Sequence, residues 1–102
     1  MAKLIALYKK PADPAAFDTH YFATHVPLAK LMPGLRKYEV STGPVSGPAG
    51  DSSLHLLGIL SFDSMAAIQT ALASPQGAAA AADLGNFAQA GVELLMFETR
   101  EV

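Results

Sequence analysis

The feature that most constrains this fold is a set of three short segments that are apolar at almost every position. They are Lys3–Tyr8, Leu54–Phe62 and Val92–Thr99. Runs of this length, bounded by charged or turn-forming residues, are typical of β-strands. A strand that is apolar on both faces must be covered on both sides of its sheet. The chain therefore needs two covering layers for one sheet.

The remaining segments supply helices for only one of those layers. Asp13-Pro14 predicts a helix start, with the helix running to about Met32, and further helical segments are predicted over Met65–Ser74 and Gln76–Ala90. Arg36–Thr42 alternates between apolar and polar residues, which predicts a half-exposed strand. The order β-α-β-β-α-β favours a ferredoxin-like α+β fold, with a four-stranded antiparallel sheet and both helical regions on one face.

The other face of that sheet has no element left to cover it. Gly43–Ser53 holds three glycines and two prolines and is predicted to be a mobile loop. The whole chain, 1–102, has the length of a single domain. We therefore expect a homodimer in which two copies pack their sheet faces together.

Composition excludes several classes of partner. Apolar residues make up 51% and charged residues 16%, and the net charge of -2 is inconsistent with the basic surface of a nucleic-acid-binding protein. The chain has no cysteine, so thiol catalysis and disulfides are excluded. No apolar run approaches the roughly 20 residues of a membrane span, and the N-terminus does not match a signal peptide. We expect a cytoplasmic protein with no nucleic-acid or membrane partner.

The stretch from Phe17 to Leu35 holds the residues most suggestive of chemistry. At about 100° per residue, five apolar side chains share one stripe of a helix, and His25 lies on its edge, with His20 on the other edge. The stripe consists of Phe17, Tyr21, Leu28, Leu31 and Met32. Pro27 is an interior proline, predicted to kink the helix near Ala23, and Pro33-Gly34 ends it. Such a break in a local rule is typical of a functional or specially packed site.

His25 is the leading candidate catalytic residue. In an apolar cleft its charged form loses solvation, so its pKa should fall below about 6.5 and leave a neutral base at pH 7. Tyr21, one turn earlier, is the second catalytic candidate, placed to orient a substrate phenol or carbonyl. The alternatives are a core histidine bonded to a backbone carbonyl and a tyrosine that only packs. His20 and His55 are weaker candidates, at the helix surface and at a strand edge or dimer interface.

A metal site is disfavoured. His20 and His25 lie five residues apart, which separates them by about 140° on a straight helix, too far for joint ligation. The sequence also lacks a phosphate-binding loop and a nucleophile elbow. If a substrate pocket exists beside His25, its walls are expected to include Phe17, Leu28, Met32, Tyr38, Leu60, Phe87 and Tyr8. Each of these residues also has an ordinary role as core.

We call the predicted helix from Asp13-Pro14 to about Met32 helix one. This helix and the residues that end it resemble the signature of the EthD family. The match consists of YFATHVPLAK over 21–30 and PGLRKY over 33–38, supported by the opening Leu7-Tyr8-Lys9-Lys10-Pro11, Phe17-Asp18 and the SPQG segment at 74–77. The resemblance implies a dimeric α+β barrel made of two ferredoxin-like halves. Its relatives include cofactor-free monooxygenases, isomerases and dehydratases or decarboxylases, so it constrains the fold better than the reaction.

Three functions follow from this reading. The preferred hypothesis is a small dimeric enzyme, without cofactor, that acts on a modest apolar or aromatic oxygenated compound, with His25 as acid/base and Tyr21 assisting. The second is a module that binds a hydrophobic metabolite without chemistry. In the third, side chains fill the cleft and the dimer is purely structural.

Overall fold

A computed structural model describes all residues, 1–102. Four strands form the main sheet: β1 (Ala2–Lys9), β2 (Lys37–Val40), β5 (Leu54–Phe62) and β6 (Val92–Glu98). Two short strands, β3 (Ser46–Gly47) and β4 (Gly50–Asp51), pair as a separate hairpin. The predicted mobile loop over Gly43–Ser53 therefore contains a small hairpin.

Three of the helices begin at a side-chain cap, and the Asp13 cap is one that the sequence predicts. Asp13 accepts a hydrogen bond from the Ala16 amide at the start of α1 (Pro14–His20). Ser64 caps α3 (Met65–Ala73) and Ser74 caps α4 (Pro75–Phe87) in the same way. These side-chain oxygens satisfy amides that have no partner within their own helix.

Helix one is irregular in its middle, as the interior Pro27 predicts. Tyr21–His25 forms a π segment between α1 and the short α2 (Val26–Ala29). The Val26 amide bonds the Tyr21 carbonyl, five residues back rather than four. Proline removes a donor from the regular ladder, and the wider turn accommodates that loss. The irregularity is thus a π bulge rather than a simple kink.

The end of helix one departs from the predicted apolar stripe. The amides of Leu31 and Met32 bond carbonyls three residues back, so the last turn is tighter than an α-helix. Leu31 consequently points outward and is 64% exposed, while Ala29 and Met32 are buried. The placement of Leu31 on the inward face was wrong, because it assumed one constant helical period.

The sheet has the order β2-β5-β1-β6 with antiparallel pairing throughout, which confirms the ferredoxin-like α+β prediction. Side chains on the helix-facing side include Leu4, Tyr8, Leu56, Leu60 and Phe62, which are buried in the two core clusters. The chain is a two-layer slab whose Cα atoms extend 35 × 34 × 17 Å.

The opposite side of the sheet lacks a covering layer. The strand register places six apolar side chains there: Ile5, Leu7, Leu57, Ile59, Leu95 and Phe97. The first four are half-buried by their neighbours, and Leu95 and Phe97 are 43% and 41% exposed. We call these six residues the open sheet face.

His55 leaves that face because the pairing of β5 with β1 shifts beside it. Tyr8 is opposite Leu56, yet Lys9 is opposite Leu54. This bulge turns His55 toward the helices, where it bonds Asp18 of α1. Strict alternation had placed His55 with Leu57 and Ile59, and that placement was wrong for this reason.

The helices are short. The longest has 13 residues, and none combines the length and the apolarity that crossing a membrane requires.

Candidate functional site

A small apolar cavity lies between the helices and the covered side of the sheet. Its volume is about 60 Å³, and 12 of its 14 lining residues are hydrophobic. At roughly 10–15 Å³ for each water, it holds a few waters or a group of a few non-hydrogen atoms. Leu94 on β6 is at once part of this lining and 48% exposed, so this part of the wall also faces solvent.

His25 is the one ionisable imidazole in the cavity wall. It lies in the π segment and is 6% exposed. Its Nδ1 lies 3.0 Å from Oδ2 of Asp83, and its Nε2 lies 3.5 Å from the hydroxyl of Tyr8. Burial lowers the pKa of His25 and outweighs the opposite effect of the Asp83 carboxylate. His25 is therefore neutral at pH 7, as the sequence predicts, although it bonds a carboxylate rather than a backbone carbonyl.

Asp83 holds the hydrogen bonds of this site together. It is 5% exposed, on α4, and accepts from His25, from His20 Nε2 at 2.9 Å and from Asn86 Nδ2 at 3.0 Å. Burial alone would raise the pKa of Asp83, but the hydrogen bonds from Asn86, His20 and His25 outweigh it and lower that pKa. We call Asp83, His20, His25 and Asn86 the Asp83 cluster.

The π segment explains why both imidazoles reach one carboxylate. His20 and His25 are five residues apart, and the π turn repeats at that separation. The estimate of about 140° between them assumed a straight α-helix, so it was wrong here. The prediction of a surface position for His20 is also incomplete, since its ring is 30% exposed but bonded to Asp83. No group of three or more His, Cys, Asp or Glu side chains is arranged to hold a metal ion.

Three tyrosines surround the imidazole at different distances from the cavity. Tyr8 and Tyr38 line the cavity, whereas Tyr21 does not. The hydroxyls of Tyr21 and Tyr38 lie 2.6 Å apart and bond each other. Burial raises the pKa of all three tyrosines, so each remains a neutral phenol at pH 7. The hydroxyl placed beside His25 is that of Tyr8.

Gly58 makes room for Tyr21. A Cβ on Gly58 would lie 3.1 Å from the Tyr21 hydroxyl, which is tighter than ordinary packing allows. A glycine within a strand indicates either a bulge or a close approach to the backbone, and here a side-chain hydroxyl makes that approach.

The predicted pocket residues separate into two groups. Tyr8, Met32, Tyr38 and Leu60 line the cavity with His25. Phe17, Phe87, Tyr21 and Leu28 lie outside its lining. Phe87 still matters to the site, because its ring packs 4.8 Å from that of His25 and 5.2 Å from that of His20, centroid to centroid. The roles of these residues in binding stay predictions.

Asp83 is the residue that reasoning from sequence missed. The alanine-rich segment around it was interpreted as close-packed or merely helix-favouring. Yet Asp83 shares a helical stripe with Ala80 and Phe87, which are also buried. A single carboxylate on the inward stripe of an otherwise apolar helix was the available signal, because such a group requires buried partners.

Two wider depressions lie on the surface. One, of about 730 Å³, separates the β3–β4 hairpin from α1 and includes Asp18 and His55. The other, of about 660 Å³, runs along α1 and the end of α4 and includes His20 and Asn86. Both are larger than the cavity, but only the cavity is lined almost entirely by apolar side chains together with a buried imidazole.

The fold and this site define an α+β protein of the ferredoxin-like class with a histidine-centred cavity under its helices. Residues 9–91 match the EthD domain, and the chain belongs to that family. It is 40% identical to an uncharacterized 11.0 kDa protein in the thcB-thcC intergenic region of Rhodococcus erythropolis, covering all of this chain and 98% of that one.

Solved structures agree with this assignment. An ethyl tert-butyl ether degradation (EthD) family protein from Bacillus halodurans is 39% identical, with a TM-score of 0.90 over 98% of this chain and 99% of that chain. The hydroxynitrile lyase of Passiflora edulis is 17% identical, with a TM-score of 0.76 over 99% and 94% of the two chains. SnoaB, a cofactor-independent oxygenase of Streptomyces nogalater, is 19% identical, with a TM-score of 0.70 over the same shares. The last two similarities concern the fold alone.

Proposed function

We propose that this protein is a cofactor-free enzyme that removes a proton from a small apolar or aromatic oxygenated compound, with His25 as the base. The observation that carries the proposal is the buried, neutral imidazole that Asp83 orients toward an apolar cavity. Oxygenation, isomerisation and dehydration of such compounds all begin when a base removes a proton next to an oxygenated carbon. The proposal therefore covers the reaction types that the family resemblance implies.

The chemistry assigned to His25 follows from its two nitrogens. The ionised Asp83 can only accept hydrogen bonds, so His25 Nδ1 carries the proton that it donates to Asp83, and the lone pair of Nε2 faces Tyr8 and the cavity. Nε2 then takes the substrate proton: a C–H bond breaks, an N–H bond forms, and the electron pair moves toward the substrate oxygen. The new imidazolium is stabilised by the ionised Asp83 on its other side.

Tyr8 is the proposed partner for the substrate oxygen. Its raised pKa keeps the hydroxyl protonated, so it can donate a hydrogen bond to negative charge that develops on that oxygen. The present separation of 3.5 Å from His25 Nε2 is long, and a bound oxygen atom can lie between the two groups. Tyr21 was the predicted assisting residue. In the proposed mechanism Tyr21 acts indirectly, because its hydroxyl bonds the hydroxyl of Tyr38 and holds it in place.

The small cavity limits the substrate. With about 60 Å³ available, only the reacting end of the compound fits beside His25. Ligand sites for larger molecules are usually about 300–1,000 Å³. We infer that the apolar remainder of the substrate extends toward Leu94, where the lining faces solvent.

Exchange of substrate hydrogen for deuterium tests this proposal without knowledge of the product. Cyclohexanone and acetophenone, incubated with the protein in D2O, should lose their α-hydrogens faster than in buffer. His25→Gln should reduce that excess rate by about 100-fold or more, because general-base catalysis typically contributes 10²–10⁴.

His55→Gln is the matched control, since it makes the same change in an imidazole that bonds a different carboxylate. It should leave the exchange rate unchanged. Ligand-observed NMR that shows binding of these ketones without any exchange would instead favour the alternative, a non-catalytic module for hydrophobic metabolites. If the ketones show no binding and no exchange, both the enzyme proposal and the binding-module alternative are contradicted.

The open sheet face supports a second part of the proposal, a homodimer formed by two such faces. A Bacteroides fragilis protein of ferredoxin-like fold, 19% identical with a TM-score of 0.64, is described as dimeric. Here six apolar side chains form one continuous surface without cover, which is typical of a protein–protein interface. Light scattering after size exclusion should give twice the mass of one chain.

Ile59→Glu should convert that dimer to monomers, because a charge at the centre of the apolar face would have to be buried unpaired. Gln69→Glu, at an exposed position of α3, is the control and should leave the dimer intact. A parent protein that runs as a monomer at high micromolar concentration would refute this part of the proposal.

A further inference from the structure

One buried carboxylate serves two histidines in this protein. Asp83 Oδ2 lies 3.0 Å from His25 Nδ1, while both oxygens lie within hydrogen-bond distance of His20 Nε2, at 2.9 and 3.1 Å. Asn86 fills a further acceptor position on Oδ1. The carboxylate is 5% exposed, so water does not compete strongly for it.

The two imidazoles differ in access to solvent. His25 lines the apolar cavity and its side chain is only 7% exposed, whereas His20 is 30% exposed and lies in the groove along α1 and the end of α4. A proton from solvent therefore reaches His20 directly, and its charge then acts on the same carboxylate that stabilises a proton on His25. Two positively charged imidazoles that share one carboxylate repel each other, and the repulsion is stronger where water has little access.

We propose that His20 is a positioning residue of the His25 site: through the shared Asp83, its charge state sets how readily His25 accepts a proton. With His20 neutral, the negative charge of Asp83 stabilises a proton taken up by His25. With His20 protonated, that charge is already compensated, and His25 becomes a poorer base. The inference deepens the proposed function and rests on it for its catalytic meaning.

The other groups around the two rings do not provide this coupling. Tyr8 from β1 and Tyr21 from helix one face His25, and burial raises the pKa of each, so both stay neutral at neutral pH. Asn86 of α4 is uncharged, and Asp13 lines the same groove as His20 but bonds the Ala16 amide. Burial is the main cause of the lowered pKa of His25, and the charge of His20 adds a smaller effect in the same direction.

The test is an NMR titration of the imidazole resonances, which needs no substrate and no turnover. His20→Gln keeps an N–H donor for Asp83 but removes the titrating charge. In this variant His25 should titrate at a pH higher by about half a unit or more than in the parent protein, and with a single inflection. In the parent, the His25 resonance should also respond to protonation of His20.

His55→Gln is again the matched control and should leave the titration of His25 unchanged. Superimposable His25 curves in the parent and in His20→Gln would overturn the inference. If His20→Gln does not fold, the titration of the parent protein provides the test. A His25 resonance with a single inflection and no response to protonation of His20 would refute the coupling. Because these readouts need no catalysis, they remain decisive even if the exchange experiment shows no enzyme activity.

A kinetic consequence separates this role from a structural one. If the protein catalyses exchange, the acidic limb of its rate profile in His20→Gln should move to higher pH by the same amount as the NMR curve. A variant that only loosens the fold would lower the rate at every pH without moving that limb.

Discussion

The molecule contains two histidine–aspartate contacts that differ chiefly in their surroundings. His25 and Asp83 are both buried, at 7% and 5% side-chain exposure, and belong to a cluster with His20 and Asn86. His55 and Asp18 lie closer together, at 2.7 Å, but Asp18 is 49% exposed. The shorter contact is the weaker candidate for function, because water screens the interaction of an exposed pair. Burial and shared partners, rather than distance, distinguish the candidate site.

The largest expected difference between the two pairs is in stability. Asp83→Ala removes the acceptor of the buried His25 imidazole and of the more exposed His20 and Asn86 donors. It should lower the free energy of unfolding by about 2–3 kcal/mol, chiefly because the His25 donor is left unsatisfied. Asp18→Ala removes an exposed partner and should cost no more than about 1 kcal/mol. Urea unfolding followed by circular dichroism measures both. Equal losses in the two variants would contradict the distinction drawn from burial.

A second prediction concerns the packing of α4, the helix that carries Asp83. A Cβ on Gly77 would overlap the Ala71 carbonyl oxygen, a backbone atom that cannot move aside alone. Gly77→Ala should therefore destabilise the protein by about 2–3 kcal/mol. It should also disturb the NMR resonances of His25 far more than those of His55.

Gly85, in the same helix, is the control for that substitution. A Cβ there meets nothing within 4 Å. Gly85→Ala should stabilise the protein by about 0.5–1 kcal/mol, because alanine is the better helix former. A loss of stability in Gly85→Ala would contradict this expectation. It would show that helix propensity does not decide the effect of an alanine at this open position of α4.

The third prediction is a dependence of stability on pH that belongs to the buried pair. The lowered pKa of His25 means that the unfolded chain binds this proton more readily than the folded protein. Stability should therefore fall as the pH drops below about 6.5, until the folded protein also takes up the proton. The lowered pKa of Asp83 adds a second loss below about pH 4.

Urea midpoints between pH 7.5 and 5 test the first of these losses. His25→Gln should flatten the slope, whatever its effect on stability at pH 7.5. His55→Gln should retain the slope of the parent protein. A slope that survives in His25→Gln would assign the acid sensitivity to another group.

Much of the fold was predictable because its signals are local. Asp13, Ser64 and Ser74 cap helices through bonds to amides three residues away. The apolar runs of β1 and β5 show both their strand form and their need for cover on two sides. The EthD resemblance also rested on contiguous residues, and the match over 9–91 confirms it.

The candidate site was predictable in part, for His25 on helix one and for the cavity walls formed by Tyr8, Tyr38 and Leu60. His25 was identified from its own segment, and its burial and lowered pKa agree with that prediction. Asp83, 58 residues further along, was not identified, because nothing local indicates which residue an inward carboxylate will meet. His55 was misplaced because a one-residue bulge reverses the face of every side chain beyond it.

The sequence by itself determined the order of the main helices and strands, the family and the need to cover both apolar faces of the sheet, since these depend on neighbours along the chain. Tertiary structure decided which groups share the buried carboxylate and which tyrosine faces the imidazole. The physical reason is that a π turn of one extra residue, invisible in average helical periodicity, rotates His20 and His25 onto the same partner.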